Sequence, residues 1–289
     1  MKRVTRFLSA ALVFGAGIAL QAAVHPVSAV RPDNGSVFVL GADGTVLAVN
    51  LSLNSGSVAG RFSTQTQGIV TDMAYGAIGG QPMLFIGSSF STGHAVVGRV
   101  QEFTTAGRLV NTWSTSHVVA GLTFDPARQT VYFTSGDTPE VYAIFPDSKA
   151  APHFVAEVTG STRLGALAID SAGQRLYIGD QSQGAVYAMN LLNHAVSRIG
   201  TVGTPQALLL DGTARQLYVA DSTRRQVVAF ALTGAAAQAH AIAPPGSFPA
   251  PAALAWGDAQ HLIVADQTAG NLSLVDLSTG RILYQLPLR

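Results

Sequence analysis

The feature that most constrains this chain is a repeating unit of three short apolar segments separated by polar turns. Its clearest copy spans residues 165–189, where Ala-Leu-Ala-Ile-Asp leads into Leu-Tyr-Ile-Gly-Asp and then into Ala-Val-Tyr-Ala-Met. Residues 119–144 and 205–230 repeat this order. Short runs of aliphatic and aromatic residues bounded by Gly, Asp, Ser and Gln indicate strands joined by tight turns. The repeat therefore predicts a series of β-meanders.

Six such units can be counted along the chain. Their middle strands centre on Phe38, Phe85, Tyr132, Tyr177, Tyr218 and Ile263, at separations of 47, 47, 45, 41 and 45 residues. Each third strand leads through another turn into a fourth, as in Asp276-Leu-Ser-Thr-Gly280 before Arg281. Repeats of this length with several strands each are typical of propeller blades. We predict an all-β, six-bladed β-propeller of four-stranded antiparallel blades over residues 24–289.

The N-terminus has the pattern of a secretory signal peptide. Basic residues at Lys2, Arg3 and Arg6 precede an uncharged apolar run over residues 7–20, which is the usual arrangement of such a signal. A membrane-spanning helix would need about 20 apolar residues. The sequence therefore predicts export to the periplasm or the extracellular medium, with no membrane span once the signal is removed.

The position of signal cleavage is constrained by the repeats. Val27-Ser28-Ala29 has the small-residue pattern favoured before a cleavage site, but residues 27–40 align without a gap to residues 166–179. Cleavage as late as residue 29 would then remove the innermost strand of the first blade. We therefore expect a signal peptide over residues 1–23, with a cut near Ala22 or Ala23, although these have a poorer local cleavage pattern.

Charge and cysteine content limit the possible partners. Charged residues make up 11% of the chain, the formal net charge is +1 and there is no cysteine. Because no basic run follows residue 6, the sequence gives no electrostatic case for nucleic-acid binding. Disulfides cannot contribute to stability. The expected form is a monomer whose partner is a protein or a small-molecule ligand.

Two stretches interrupt the regular repeat. Residues 233–251, rich in Ala and Pro, are interpreted as a long connection from blade 5 to blade 6. Residues 87–98, rich in Gly and Ser, are interpreted as an insertion between the second and third strands of blade 2. Loops at the ends of blades carry function in propellers, so this insertion is either a binding loop or a disordered rim.

The strand phrases resemble known repeat families. Leu-Tyr-Ile-Gly-Asp at 176–180, Leu-Tyr-Val-Ala-Asp at 217–221 and Leu-Ile-Val-Ala-Asp at 262–266 resemble NHL or YVTN repeats. They are also similar to the blades of the gluconolactonase and senescence-marker-protein (SMP-30-like) lactonases. The similarity covers nearly all of residues 24–289 and implies a propeller first. Function on such a shared fold ranges from protein binding to metal-dependent hydrolysis.

The lactonase resemblance implies a specific test of the innermost strands. Those enzymes hold one divalent cation in the central tunnel through a Glu, Asn residues and an Asp. The corresponding positions here are Pro26, Thr71, Ala120, Gly165, Gln206 and Ala252. None is a carboxylate or an asparagine, so the sequence lacks the family's oxygen cage. No metal ligand and no cofactor is therefore assigned, and a divalent cation remains the alternative.

Five residues are candidates for binding a ligand near the tunnel mouth: Thr71, Asp72, His117, Arg163 and Gln206. Asp72 occupies a position that other blades fill with Gly or Ala, and burying an unpaired carboxylate is costly. It could bind an ion or a ligand, or cap a neighbouring strand. His117 and Arg163 directly precede the inner strands of blades 3 and 4. Arg163 could meet an anionic ligand or could be an ordinary exposed charge.

No catalytic residue is assigned from the sequence. Asp180, Asp221 and Asp266 recur at the ends of second strands, which predicts a structural turn in each blade. There is no phosphate-binding loop and no nucleophile elbow, and nothing pairs the three glutamates for acid–base chemistry. The first hypothesis is thus a non-catalytic binding propeller. The alternative is a divergent metal-dependent lactonase with Asp72, Gln206, Thr71 and His117 around an ion.

Overall fold

The protein is described by a computed structural model that covers residues 24–32, 35–233 and 239–288. The first two blades contain β1 (Pro26–Val30), β2 (Val37–Gly41), β3 (Thr45–Leu51), β4 (Gly56–Ser63), β5 (Ile69–Ile78), β6 (Gln81–Ser91), β7 (Val96–Thr104) and β8 (Leu109–Thr115). The next two contain β9 (Val119–Asp125), β10 (Thr130–Ser135), β11 (Glu140–Ile144), β12 (His153–Glu157), β13 (Leu164–Asp170), β14 (Arg175–Asp180), β15 (Ala185–Asn190) and β16 (Val196–Thr201). The last two contain β17 (Pro205–Asp211), β18 (Gln216–Asp221), β19 (Gln226–Ala231), β20 (Ala239–Ala241), β21 (Pro251–Asp258), β22 (His261–Asp266), β23 (Asn271–Asp276) and β24 (Ile282–Pro287).

Each blade is a four-stranded antiparallel sheet made of consecutive strands, so the predicted six-bladed propeller is confirmed. The first strand of each blade lies innermost and the fourth lies outermost. The middle strands β2, β10 and β22 are buried along their whole length, whereas the outer strand β4 is mostly exposed. Strands buried on both faces need near-continuous apolar side chains, which explains the Leu-Tyr-Ile type phrases.

The hydrophobic core lies between neighbouring blades. Between blades 4 and 5, for example, Tyr177 and Val186 pack with Leu217 and Phe230. Six clusters of this kind surround the axis. Each twisted blade thus packs both faces against its neighbours, and the interface between blades 6 and 1 closes the ring.

The two ends of the described chain meet between blades 1 and 6. The Val24 amide donates to the Leu288 carbonyl over 3.0 Å, and the Leu288 amide donates to the Gly270 carbonyl over 2.9 Å. Residues 27–30 lie in β1, which confirms them as the inner strand of the first blade. The predicted signal peptide lies outside the described residues. Within those residues, no helix is long and apolar enough to cross a membrane.

Two sequence interpretations are corrected by the strand pairing. Residues 87–98 are not a loop insertion, because β6 and β7 continue to pair as far as Ser91 and Val96 and leave only a short turn. The stretch 233–251 is more than a connection, since it contains β20, the fourth strand of blade 5. Pairing with β19 makes a strand of Ala-His-Ala, which has little intrinsic β-propensity.

Candidate functional site

A cavity of about 800 Å³ runs along the axis of the ring and is lined by the inner strands of all six blades. One end lies where the inner strands begin, and we call this end the mouth. Side chains near the mouth include Ile69, Arg163, Gln181, Gln206 and Gln267. Concave sites of this size with a few polar groups are typical of ligand binding.

The inner strands share an irregularity beside the mouth. In every blade the pairing of the first and second strands skips residues near the start of the inner strand. Thr71 and Gln206 lie within these skipped positions. A bulge leaves a residue outside the ladder and redirects its side chain. The irregularities therefore free backbone and side-chain groups for other contacts at this end.

Small residues allow the inner strands of blades 3 and 4 to approach closely. An added Cβ on Gly121 would lie 2.2 Å from the Gly165 carbonyl oxygen. Thr134 joins the same two strands, since its Oγ1 accepts from the Gly121 amide at 2.9 Å and donates to the Gly165 carbonyl at 2.6 Å. A side chain at Gly121 would therefore push the inner strands of blades 3 and 4 apart.

Asp72 connects three blades. Its Oδ1 accepts from the Ser28 hydroxyl of blade 1 at 2.6 Å and from the Met73 amide at 2.8 Å. Its Oδ2 accepts from the Leu122 amide of blade 3 at 2.7 Å. The side chain therefore caps a neighbouring strand, which was one of the two roles open for it.

Burial perturbs the acidity of this carboxyl group. It raises the pKa of Asp72 to about 6, against the opposing effect of hydrogen bonds from Ser28, Leu122 and Met73. The protonated form can be accommodated, because Ser28 Oγ also lies 3.4 Å from the Met73 carbonyl and could donate there instead. A carboxyl group with this environment titrates in the mildly acidic range.

The residues around Asp72 do not fit the lactonase cation cage. Both of its oxygens already accept hydrogen bonds from the protein. Thr71 Oγ1 is buried and lies close to Gly87, where an added Cβ would be 2.9 Å from it. Within the described ranges, no group of three His, Asp or Glu side chains is placed to hold a metal ion. A hard cation requires several convergent oxygens, and this set does not provide them.

Arg163 and Gln206 meet the expectation of polar groups at the mouth. Both side chains are exposed and border the cavity. The Gln181 amide nitrogen donates to Gln206 Oε1 over 2.6 Å, so the two amides form a pair beside Arg163. Sequence reasoning missed Gln181, although its position directly after the turn residue Asp180 could have indicated it.

His117 lies away from the cavity lining, beside the turn between the second and third strands of blade 3. Its ring stacks on Tyr142 at 5.1 Å, and Nδ1 lies 3.9 Å from carboxylate oxygens of both Asp137 and Glu140. Hydrogen bonds from Thr138 and Tyr142 lower the pKa of Glu140. The structure therefore separates His117 from Asp72, and the two do not form one site.

The recurring aspartates act as predicted in the turns. Asp180 Oδ1 accepts from the Ser182 and Gln183 amides at 2.8 and 3.0 Å. Asp221 and Asp266 make equivalent contacts and also bind the segment that enters their own inner strand. The structural interpretation of these residues is confirmed.

Comparisons with known proteins show the fold and nothing finer. No protein-family profile matches the chain, and no curated protein matches it. A solved structure titled "Crystal structure of Nidogen/Laminin Complex" aligns over 87% of this chain and 90% of its own, with a TM-score of 0.65. The fold is a β-propeller. Sequence identity to that structure is 12%, so the resemblance to NHL, YVTN or lactonase repeats remains a prediction.

Proposed function

We propose that this chain is an exported, non-catalytic β-propeller that recognises a ligand or a partner protein at the mouth of its cavity. The observation that carries the proposal is that the polar groups at the cavity fall into two sets, one engaged within the protein and one exposed to solvent. Asp72 uses both oxygens to connect strands, whereas Arg163 and Gln206 are exposed at the mouth. Polar groups placed at an open concavity are suited to recognition.

The structural neighbour is consistent with this proposal. Its title describes a complex between two proteins. A shared fold at low sequence identity carries no function by itself. It supports only the general idea that a propeller of this shape can serve as a recognition scaffold.

The alternative is a divergent metal-dependent lactonase that uses Asp72. Among the described residues that line the cavity, Asp72 is the one carboxylate, and its pKa is raised to about 6. Perturbed carboxyl groups in clefts are typical of functional sites. The engagement of both oxygens favours the binding role over this one.

A pair of photo-cross-linking residues tests the binding function. Ile69 at the mouth is 73% exposed, and Leu192, in a turn at the opposite end of its blade, is 70% exposed. We expect a cross-linker at position 69 to capture a partner from the native extracytoplasmic extract, and one at 192 to capture much less. Equal capture at both positions would contradict recognition at the mouth.

Hydrolysis assays distinguish the alternative. We expect the purified protein to show no turnover of lactones or simple esters with Ca²⁺, Zn²⁺ or Mn²⁺. Metal-dependent turnover that disappears in Asp72→Ala, with folding checked by circular dichroism, would establish the lactonase function instead.

A further inference from the structure

We propose that the group recognised at the mouth is a carboxylate of a small molecule, held by the guanidinium of Arg163 beside the amide of Gln206. The inference rests on the proposed binding function and gives it a ligand class. Three observations carry it: Arg163 lacks a partner among the described residues whereas other arginines have one, polar amides lie next to Arg163, and the cavity walls below it are small and uncharged.

Two arginines border the cavity in the described part of the chain. Arg31 is engaged by the protein itself, since Nη1 donates to the Trp256 carbonyl at 3.2 Å and Nε to the Gly35 carbonyl at 3.3 Å. Arg163 is exposed and makes no side-chain hydrogen bond or ion pair with any described residue. Its full set of five N–H donors is therefore available to a ligand.

Elsewhere the chain pairs several arginines with buried acids. Arg128, Arg215 and Arg224 bind Asp125, Asp170 and Asp221 at 2.9, 2.9 and 3.3 Å. At the cavity the only described carboxylate is Asp72, on blade 2, and its oxygens are already engaged. Arg163 on blade 4 thus faces an open space without a counter-ion from the protein.

The neighbouring amides add donors of the right kind. Gln206 accepts from Gln181 through Oε1, which leaves the two N–H groups of Gln206 free to donate. A guanidinium fork binds the two oxygens of a planar carboxylate side by side, and an adjacent amide can bind one of them. This arrangement favours a carboxylate over a halide or another spherical anion.

The cavity walls below Arg163 indicate the polarity of the rest of the ligand. Gly165, Ala166 and Ala207 line this part of the cavity and present little more than backbone and methyl groups. Such walls leave room for an uncharged body and offer it apolar contact. The ligand class is therefore a small molecule with a carboxylate at one end and an uncharged remainder.

Butyrate and its neutral counterpart butyramide test the proposal on the full mature protein. We expect butyrate to shift the Arg163 Nε–Hε signal in two-dimensional ¹⁵N NMR in a saturable way, and butyramide to leave it unchanged. Arg163→Ala should weaken butyrate binding about tenfold or more, measured by titration calorimetry, because a charge-assisted contact is lost. Arg198→Ala, an exposed arginine on the outer strand of the same blade, should bind as the wild type does.

Three outcomes would overturn the carboxylate proposal: equal binding of butyramide, unchanged affinity in Arg163→Ala, or a signal shift that sodium chloride reproduces at the same ionic strength. If cross-linking from position 69 still captures a partner in that case, the binding function survives and only the ligand class is wrong. If both experiments fail, the function itself is contradicted.

Discussion

Asp72 illustrates how a charged residue can occupy a position that other blades fill with Gly or Ala. Three protein donors satisfy its oxygens, so burying this carboxylate costs less free energy than burying an unpaired one. Burial still outweighs these hydrogen bonds and raises its pKa to about 6 from an ordinary value of 3.8. The folded protein therefore binds the Asp72 proton more tightly than the unfolded chain does.

This difference predicts a pH-dependent contribution to stability. Because the folded pKa is the higher one, the favourable contribution is complete below about pH 4 and is lost as the pH rises through about 6. We expect the free energy of unfolding of the wild type, relative to Asp72→Asn, to fall by up to about 3 kcal/mol between pH 4 and 7. Urea denaturation at steps of pH measures it.

Asp276→Asn is the matched control for that series. Hydrogen bonds, chiefly from the Ser278 side chain, lower the pKa of the partly exposed Asp276 to about 2. Its contribution is present above about pH 4 and is lost as the pH falls towards 2, so its effect should stay constant between pH 4 and 7. If the difference in unfolding free energy between the wild type and Asp72→Asn is also constant over this range, the pKa of Asp72 is not raised in the folded protein.

Among the strands, the close approach of β9 to β13 predicts that the effect of a glycine substitution depends strongly on its position. An added Cβ on Gly121 meets the Gly165 carbonyl at 2.2 Å, whereas one on Gly212, in the turn between β17 and β18, meets nothing within 4 Å. We expect Gly121→Ala to destabilise the protein by about 1–3 kcal/mol. Gly212→Ala should be neutral or slightly stabilising. Equal urea midpoints for the two variants would show that β9 and β13 can separate without cost.

The repeat made the blades predictable, because each middle strand is buried on both faces and so carries a recognisable apolar phrase. The outer strand β20 was missed, since Ala-His-Ala has no such signature and is a strand only through pairing with β19. The long β6–β7 hairpin was missed because Gly and Ser normally indicate loops. In both segments the pairing with a neighbouring strand decides whether a strand forms, and local composition does not show that partner.

The sequence allowed us to predict which polar residues lie near the mouth, but it did not allow us to predict where their side chains point. Arg163 and Gln206 lie at the mouth as expected, because distance along an inner strand fixes height along the axis. His117 also precedes an inner strand, but it turns aside to stack on Tyr142. Whether such a side chain points into the cavity or away from it depends on the bulge and on the neighbouring side chains. Neither can be read from a single sequence.

Across the described part of the ring, the first and last blades exchange no strand, because each blade consists of four consecutive strands. Blades 1 and 6 are held together by side-chain packing, by the hydrogen bond from Arg31 to the Trp256 carbonyl and by contacts of the chain ends. Leu288 is central there: it is 0% exposed, packs in the cluster that contains Val24 and Val39, and its carbonyl accepts from the Val24 amide.

Closure of the ring should therefore depend on one side chain near the C-terminus. Leu288→Ala keeps the backbone hydrogen bonds and removes the buried side chain, so we expect a loss of about 2–5 kcal/mol in the free energy of unfolding. Leu283, 43% exposed in the preceding strand β24, provides the control, and Leu283→Ala should change stability by about 0.5 kcal/mol or less. Thermal and urea unfolding of the two variants measure this difference. Similar small effects from both would mean that blades 1 and 6 are held together by the remaining interface, without a special contribution from the chain end.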